Sequence, residues 1–123
     1  MSKLTGIAKI IVQQIMGIDP TALMSYGSRN FIVIGEDIEG YEGGIEFTVN
    51  GVHFKGQVRI LLNYVDEYEI FFGNYKDKKL VVEKHFEHVL WEDLTERLDY
   101  YIEFRDGPRT YTTSDIISPL FDD

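Results

Sequence analysis

Between Ile45 and Phe72, apolar and polar residues alternate in three successive runs, the period-two pattern of half-buried antiparallel strands. Ile45, Phe47 and Val49 fall on one face, Glu46 and Thr48 on the other. Val52, Phe54, Val58, Ile60 and Leu62 continue the apolar face, with Gly56 in the same register, while His53, Lys55, Gln57 and Arg59 point away. Asn50-Gly51 separates these runs, and that dipeptide best tolerates the positive φ angles of a two-residue type I′ turn. The spacing predicts facing pairs Val49–Val52, Phe47–Phe54 and Glu46–Lys55. Tyr68, Ile70 and Phe72 form a third run after a turn around Asn63 to Asp66; with three residues unpaired there, Arg59 falls opposite Glu69.

Two segments follow helical spacing instead. Leu4, Ile7, Ala8, Ile11, Val12 and Ile15 make one stripe, with Thr5, Lys9 and Gln13 opposite and Ile10 and Met16 outside it. Gly17 is the expected stop, and Asp19-Pro20 opens a short turn from Ala22 to Tyr26. The second helix is expected over Trp91 to Phe104, with Trp91, Leu94, Leu98, Tyr101 and Ile102 inward and a break at Asp106-Gly107-Pro108. Arg29 to Ile34 reads as a strand with Phe31 to Ile34 buried on both faces, residues 35–44 as a loop, and Gly73 to Lys79 as a lysine-rich turn. A last strand begins at Leu80 and runs toward His85 or Val89. With no repeat or low-complexity linker, these elements predict a single α+β domain over 1–123. Its four- or five-stranded, mainly antiparallel sheet is a meander with an Asn-Gly hairpin, and its N-terminal and C-terminal helices pack on one face. Residues 106–123 are left as a docking tail.

Charge narrows the partners. The chain has 21 acidic and 12 basic residues, a net charge of −9, which disfavours direct nucleic-acid binding and anionic membranes. No cysteine is present, so thiolate chemistry, disulfides and Cys-based metal sites are excluded. The Leu4 to Met16 run is too short to span a bilayer and lacks the features of a signal peptide. A soluble cytoplasmic protein is expected.

Few residues suggest chemistry. His53, Lys55 and Arg59 form a basic line, but Lys55 and Arg59 each have a cross-strand carboxylate, as ordinary sheet-surface pairs do. His85 and His88 lie three apart around Glu87; on a strand they point to opposite faces, so no metal site is expected. None of Ser2, Ser25, Ser28, Ser114 and Ser118 sits in a glycine-flanked nucleophile elbow. The glycines at 40–44 lack the lysine and following helix of a phosphate cradle. No catalytic residue and no cofactor is assigned. Ser25, Tyr26, Ser28, Arg29 and Asn30 read as a capped helix end, or as a small polar pocket at the sheet edge. Glu92, Glu96, Asp99 and Glu103 share an arc of the second helix, with about 4.5–6 Å of axial rise between successive carboxylates. That is a solvated helix face, or a row that mimics nucleic-acid phosphates.

Four stretches carry a resemblance: Met24-Ser25-Tyr26-Gly27-Ser28-Arg29-Asn30-Phe31, Gly44 through Gly51, Phe54-Lys55-Gly56, and Val58 through Asn63. Across them the chain resembles small uncharacterised proteins of gut Bacteroides-type bacteria, their mobile elements and phages. These motifs are structural, so the resemblance implies a short accessory protein and no particular activity. The leading functional expectation is a non-enzymatic protein-interaction module, with a homodimer as one form of association and Ile10, Met16, Leu120 and Phe121 as the contact surface. The alternatives are a ligand binder or enzyme using the 25–30 segment, and an acidic inhibitor acting through the carboxylate stripe.

Overall fold

A computed structural model describes residues 6–36 and 38–103. The first helix, α1 (Gly6–Ile18), buries Ala8, Ile11 and Ile15. It runs one residue past Gly17 and ends at Asp19-Pro20, where the Asp19 carboxylate accepts from the Thr21 N–H and hydroxyl, both at 3.0 Å. One further turn, α2 (Ala22–Ser25), leads into the sheet.

Five strands follow: β1 (Arg29–Ile34), β2 (Tyr41–Asn50), β3 (Lys55–Asn63), β4 (Tyr68–Lys76) and β5 (Lys79–Val89). Their spatial order is their sequence order and every neighbouring pair is antiparallel, so the sheet is an open meander. A 3-10 turn at Trp91–Asp93 then enters α3 (Leu94–Glu103). Leu94, Leu98 and Ile102 of α3 join the buried residues of α1 against Ile45, Phe47, Val49, Val58, Ile60, Ile70 and Phe72. Each such side chain contributes roughly 1.5–3 kcal/mol through apolar burial. The Thr95 hydroxyl donates to the Ile15 carbonyl at 3.3 Å, tying the start of α3 to the end of α1. The fold is therefore α+β, with α1 and α3 layered on one face of the sheet.

The register departs from the spacing rule. Phe47 faces Val58, Glu46 faces Arg59 and Asn50 faces Lys55, so Val49–Val52, Phe47–Phe54 and Glu46–Lys55 do not pair. Phe47 meets Val58 rather than Phe54, a displacement of four residues, and an even displacement leaves each side chain on its expected face. The cause is the end of α3. The N–H groups of His53 and Phe54 both donate to the Ile102 carbonyl, at 2.8 and 3.1 Å, and His53 Nδ1 lies 2.9 Å from the Tyr101 carbonyl. Gly51 to Phe54 thus form a loop that caps carbonyls a helix cannot satisfy itself. Two capping bonds at about 0.5–1.5 kcal/mol each, plus the burial of Phe54, outweigh the local turn preference of Asn-Gly.

The positive φ pair of a two-residue turn occurs instead at Asp77 and Lys78, with φ of 56° and 69°, between the paired residues Lys76 and Lys79. Arg59 faces Phe71, not Glu69, because five residues, 63–67, separate the paired Leu62 and Tyr68, organised by the Asn63 side chain, which accepts from the Val65 and Glu67 N–H groups at 3.0 Å. Trp91, expected inward, is 47% exposed because its 3-10 turn precedes the helix. Phe31 to Ile34 are not buried on both faces: β1 is a terminal strand, with Ile32 53% and Val33 39% exposed. Tyr41 to Gly44, expected in a loop, begin β2 through an irregularity at Gly43.

Candidate functional site

Both helices lie on one side, leaving the other sheet face without a covering layer among the described residues. Alternation sends Glu46, Arg59, Leu61, Glu69 and Phe71 to this face. Glu46 is only 2% exposed there. Its register partner Arg59 reaches one carboxylate oxygen through Nε and Nη2, both at 2.9 Å, and the Tyr75 hydroxyl donates to the other at 2.7 Å. That hydrogen bond and burial raise the Tyr75 pKa.

A second carboxylate is held in the same manner. Glu69 accepts from the Tyr41 hydroxyl at 2.6 Å and lies 3.0 Å from His85 Nε2, and the His85 ring stacks on Phe71 at 4.1 Å. Burial pushes the Glu69 carboxyl upward, but hydrogen bonds from Tyr41, His85 and Asn63 outweigh it and hold the pKa below its usual value. Burial and the bond to Glu69 push Tyr41 up to about 12.

Between these two groups lies a cavity of about 280 Å³, lined by Ile38, Tyr41, Arg59, Leu61, Phe71, Leu80 and Val82. Leu61 is its deepest member at 2% exposure, yet it stands apart from the main core cluster. It lies against Gly44, where a Cβ would come within 1.9 Å of the Ile60 carbonyl oxygen and 2.9 Å of Leu61 Cδ2. Gly44 is thus required by close approach. The groove has an apolar floor, one guanidinium already neutralised by Glu46 and one phenol already donating to Glu69. Its lining supplies no nucleophile and no free acid–base pair; its chemistry is that of shape and apolar contact. The alternation itself carried the signal: Leu61 and Phe71 are apolar at positions that period two assigns to the polar face.

The expected sites are dispersed. The Ser25 hydroxyl donates to the Ala22 carbonyl at 2.9 Å, a helix-end role. Arg29 and Asn30 are exposed, Asn30 at a φ of 58°. Tyr26 is fully buried, with burial first and then the charges of Asp99, Asp19 and Glu103 raising its pKa far above the ordinary value. Tyr26 Oη, Ser28 Oγ and Glu103 Oε2 are each buried without a hydrogen-bond partner among the described residues. The carboxylate stripe is therefore broken: Glu92 belongs to the 3-10 turn, Glu96 is exposed, and Asp99 and Glu103 are half-buried on the side of Tyr26. Ile10 and Met16 are both exposed, but six residues apart they point about 120° away from each other around α1. Leu120, Phe121 and the 106–123 tail lie outside the described residues.

The basic line also disperses. His53 caps α3, the Lys55 ammonium donates to the Gly51 carbonyl at 2.9 Å, and Arg59 binds Glu46. His85 and His88 make their shortest contacts with different carboxylates, Glu69 and Glu67, while Glu87 lies 3.7 and 3.6 Å from them, and the described residues hold no cluster of three or more His, Asp or Glu suited to a metal ion. No helix among them is long and apolar enough to cross a membrane. No family model, curated protein or solved structure matches this chain.

Proposed function

We propose that this chain is a non-enzymatic protein-interaction module of the cytoplasm, and that the uncovered sheet face receives a basic partner segment anchored by apolar side chains. The observation that carries this reading is the groove of Leu61, Phe71, Leu80 and Val82 on a face with no second layer among the described residues. Apolar contact there yields about 25 cal/mol per Å² removed from water. The charge of the occupant follows from the surroundings. Ile38 enters the groove from a loop whose Glu36 and Glu39 are exposed, in a chain with a net charge of −9. Glu46 and Glu69 are already committed to internal partners, which keeps the floor rigid and favours binding over proton transfer.

The test is an amide chemical-shift titration with two synthetic peptides, one alternating Phe or Leu with Lys and one with Glu in place of Lys. Shifts should centre on Leu61, Phe71, Leu80 and Val82 for the lysine peptide alone, weaken as salt rises, and vanish in Val82→Glu. Equal binding of both peptides, or a response centred on α1, would overturn the assignment.

A further inference from the structure

The two edges of the sheet are built differently. β5 carries Lys79, Glu83, Lys84, His85, Glu87 and His88, two register irregularities, and His88 at a φ of 58°. Charges, lysines and bulges are the devices that stop an edge from templating another strand. β1 has none of them beyond its first residues. Its single charge is Arg29, its irregularity lies between Arg29 and Ile32, and Phe31 to Ile34 form an uninterrupted apolar run. From Ile32 onward β1 is regularly paired on its inner side, Ile32 with Glu46, Val33 with Ile45 and Ile34 with Gly44. Among the described residues no strand pairs with its outer side, which presents backbone donors and acceptors beside two exposed β-branched side chains, Ile32 and Val33.

We propose that β1 pairs antiparallel with β1 of a second copy of this chain, joining two five-stranded meanders into one ten-stranded sheet about a twofold axis. The symmetry restricts the register. An axis normal to the sheet keeps like faces together, and directly opposed residues share a face, so one residue must meet its own counterpart; with the Phe31 to Ile34 run centred on the axis, that residue is Ile32 or Val33. Both registers put apolar side chains against apolar side chains. Charge selects the self-pairing as well. Antiparallel order brings Arg29, at the start of one strand, to the end of the other, where Ile34 is followed by Gly35 and the exposed Glu36. That match occurs twice, whereas a parallel arrangement would set the two arginines side by side. The strand has six residues, so the contact is smaller than the roughly 800 Å² per partner of standard interfaces, and the dimer is weak. With a net charge of −9 on each copy, salt strengthens it by screening repulsion. A basic segment bound in the groove responds to salt in the opposite sense, and this inference does not depend on that reading.

Sedimentation velocity on the full chain, from micromolar to near-millimolar protein at low and moderate salt, tests it. The wild type should pass from monomer to dimer with concentration, at lower concentration when salt is raised. Ile32→Lys should weaken the dimer at least about tenfold with an unchanged far-UV spectrum, since that side chain faces solvent. Arg29→Glu and Glu36→Lys should each weaken it several-fold, and the two together should restore it. Val82→Glu, which addresses the groove, should leave it unchanged. A wild type that stays monomeric throughout, a dimer that survives Ile32→Lys, or a charge swap that restores nothing would each overturn the proposal.

Discussion

Replacing Gly51 separates two explanations for its presence. In a type I′ turn the glycine supplies a positive φ, which Asn also tolerates, so Gly51→Asn would cost little. The structure gives a different reason. Gly51 is absent from the positive-φ positions, and a Cβ there would sit 2.2 Å from Ile102 Cγ2 and 2.4 Å from the Ile102 carbonyl oxygen. Any side chain must push the loop off the end of α3, straining the packing by about 1–3 kcal/mol and loosening two hydrogen bonds of about 0.5–1.5 kcal/mol each. Gly51→Ala and Gly51→Asn should therefore both destabilise by about 2–4 kcal/mol, with no relief from asparagine. Gly17 provides the opposite control: it lies within α1 and a Cβ there meets nothing within 4 Å, so Gly17→Ala should stabilise by about 0.5–1 kcal/mol. Urea unfolding followed by circular dichroism measures all three. Gly51→Asn within about 0.5 kcal/mol of wild type would refute the capping account and reinstate the hairpin turn.

Further outcomes are expected. Tyr26→Phe removes a buried hydroxyl that has no hydrogen-bond partner and should raise stability by about 0.5–1.5 kcal/mol in the same urea assay; a loss of stability would mean that the hydroxyl is satisfied in solution. On the alkaline side, Tyr41 is raised to about 12, so its contribution is full below the ordinary tyrosine value of about 10 and is lost as pH climbs through about 12. On the acid side Glu69 is depressed, so its contribution is present above the usual glutamate value and fades as pH falls through the lower folded value. Ultraviolet titration should find Tyr26, Tyr41, Tyr68, Tyr75 and Tyr101 resisting ionisation beyond the ordinary tyrosine range until the fold opens, and early ionisation of all eight tyrosines would contradict the arrangement.

The element types and faces were legible because period two and period 3.6 are local properties of the chain. Ile45, Phe47, Val58, Ile60, Ile70 and Phe72 are all buried on the face their spacing assigns. Pairing was less legible, because the end of α3 sets the loop after β2 and the Asn63 side chain sets the turn after β3. Neither influence is contained in the two strands being paired. Burial of β1 was misread because four consecutive apolar residues look alike in a central strand and in a terminal one. The groove escaped for a similar reason: Leu61, Phe71 and Val82 are adjacent only once the register is known.

The strictly sequential strand order has a kinetic side. Each hairpin closes between neighbours in the chain, so sheet formation needs only short loops and small entropic losses. The contact of the Thr95 hydroxyl with the Ile15 carbonyl is of another kind, since it spans 80 residues. Until α1 and α3 meet, the apolar face of a fully paired sheet stays wet, and the chain is left with hairpins but no core. Commitment to the native state therefore rests with α1 and α3, and lesions there should slow folding more than equal losses of stability within the turns.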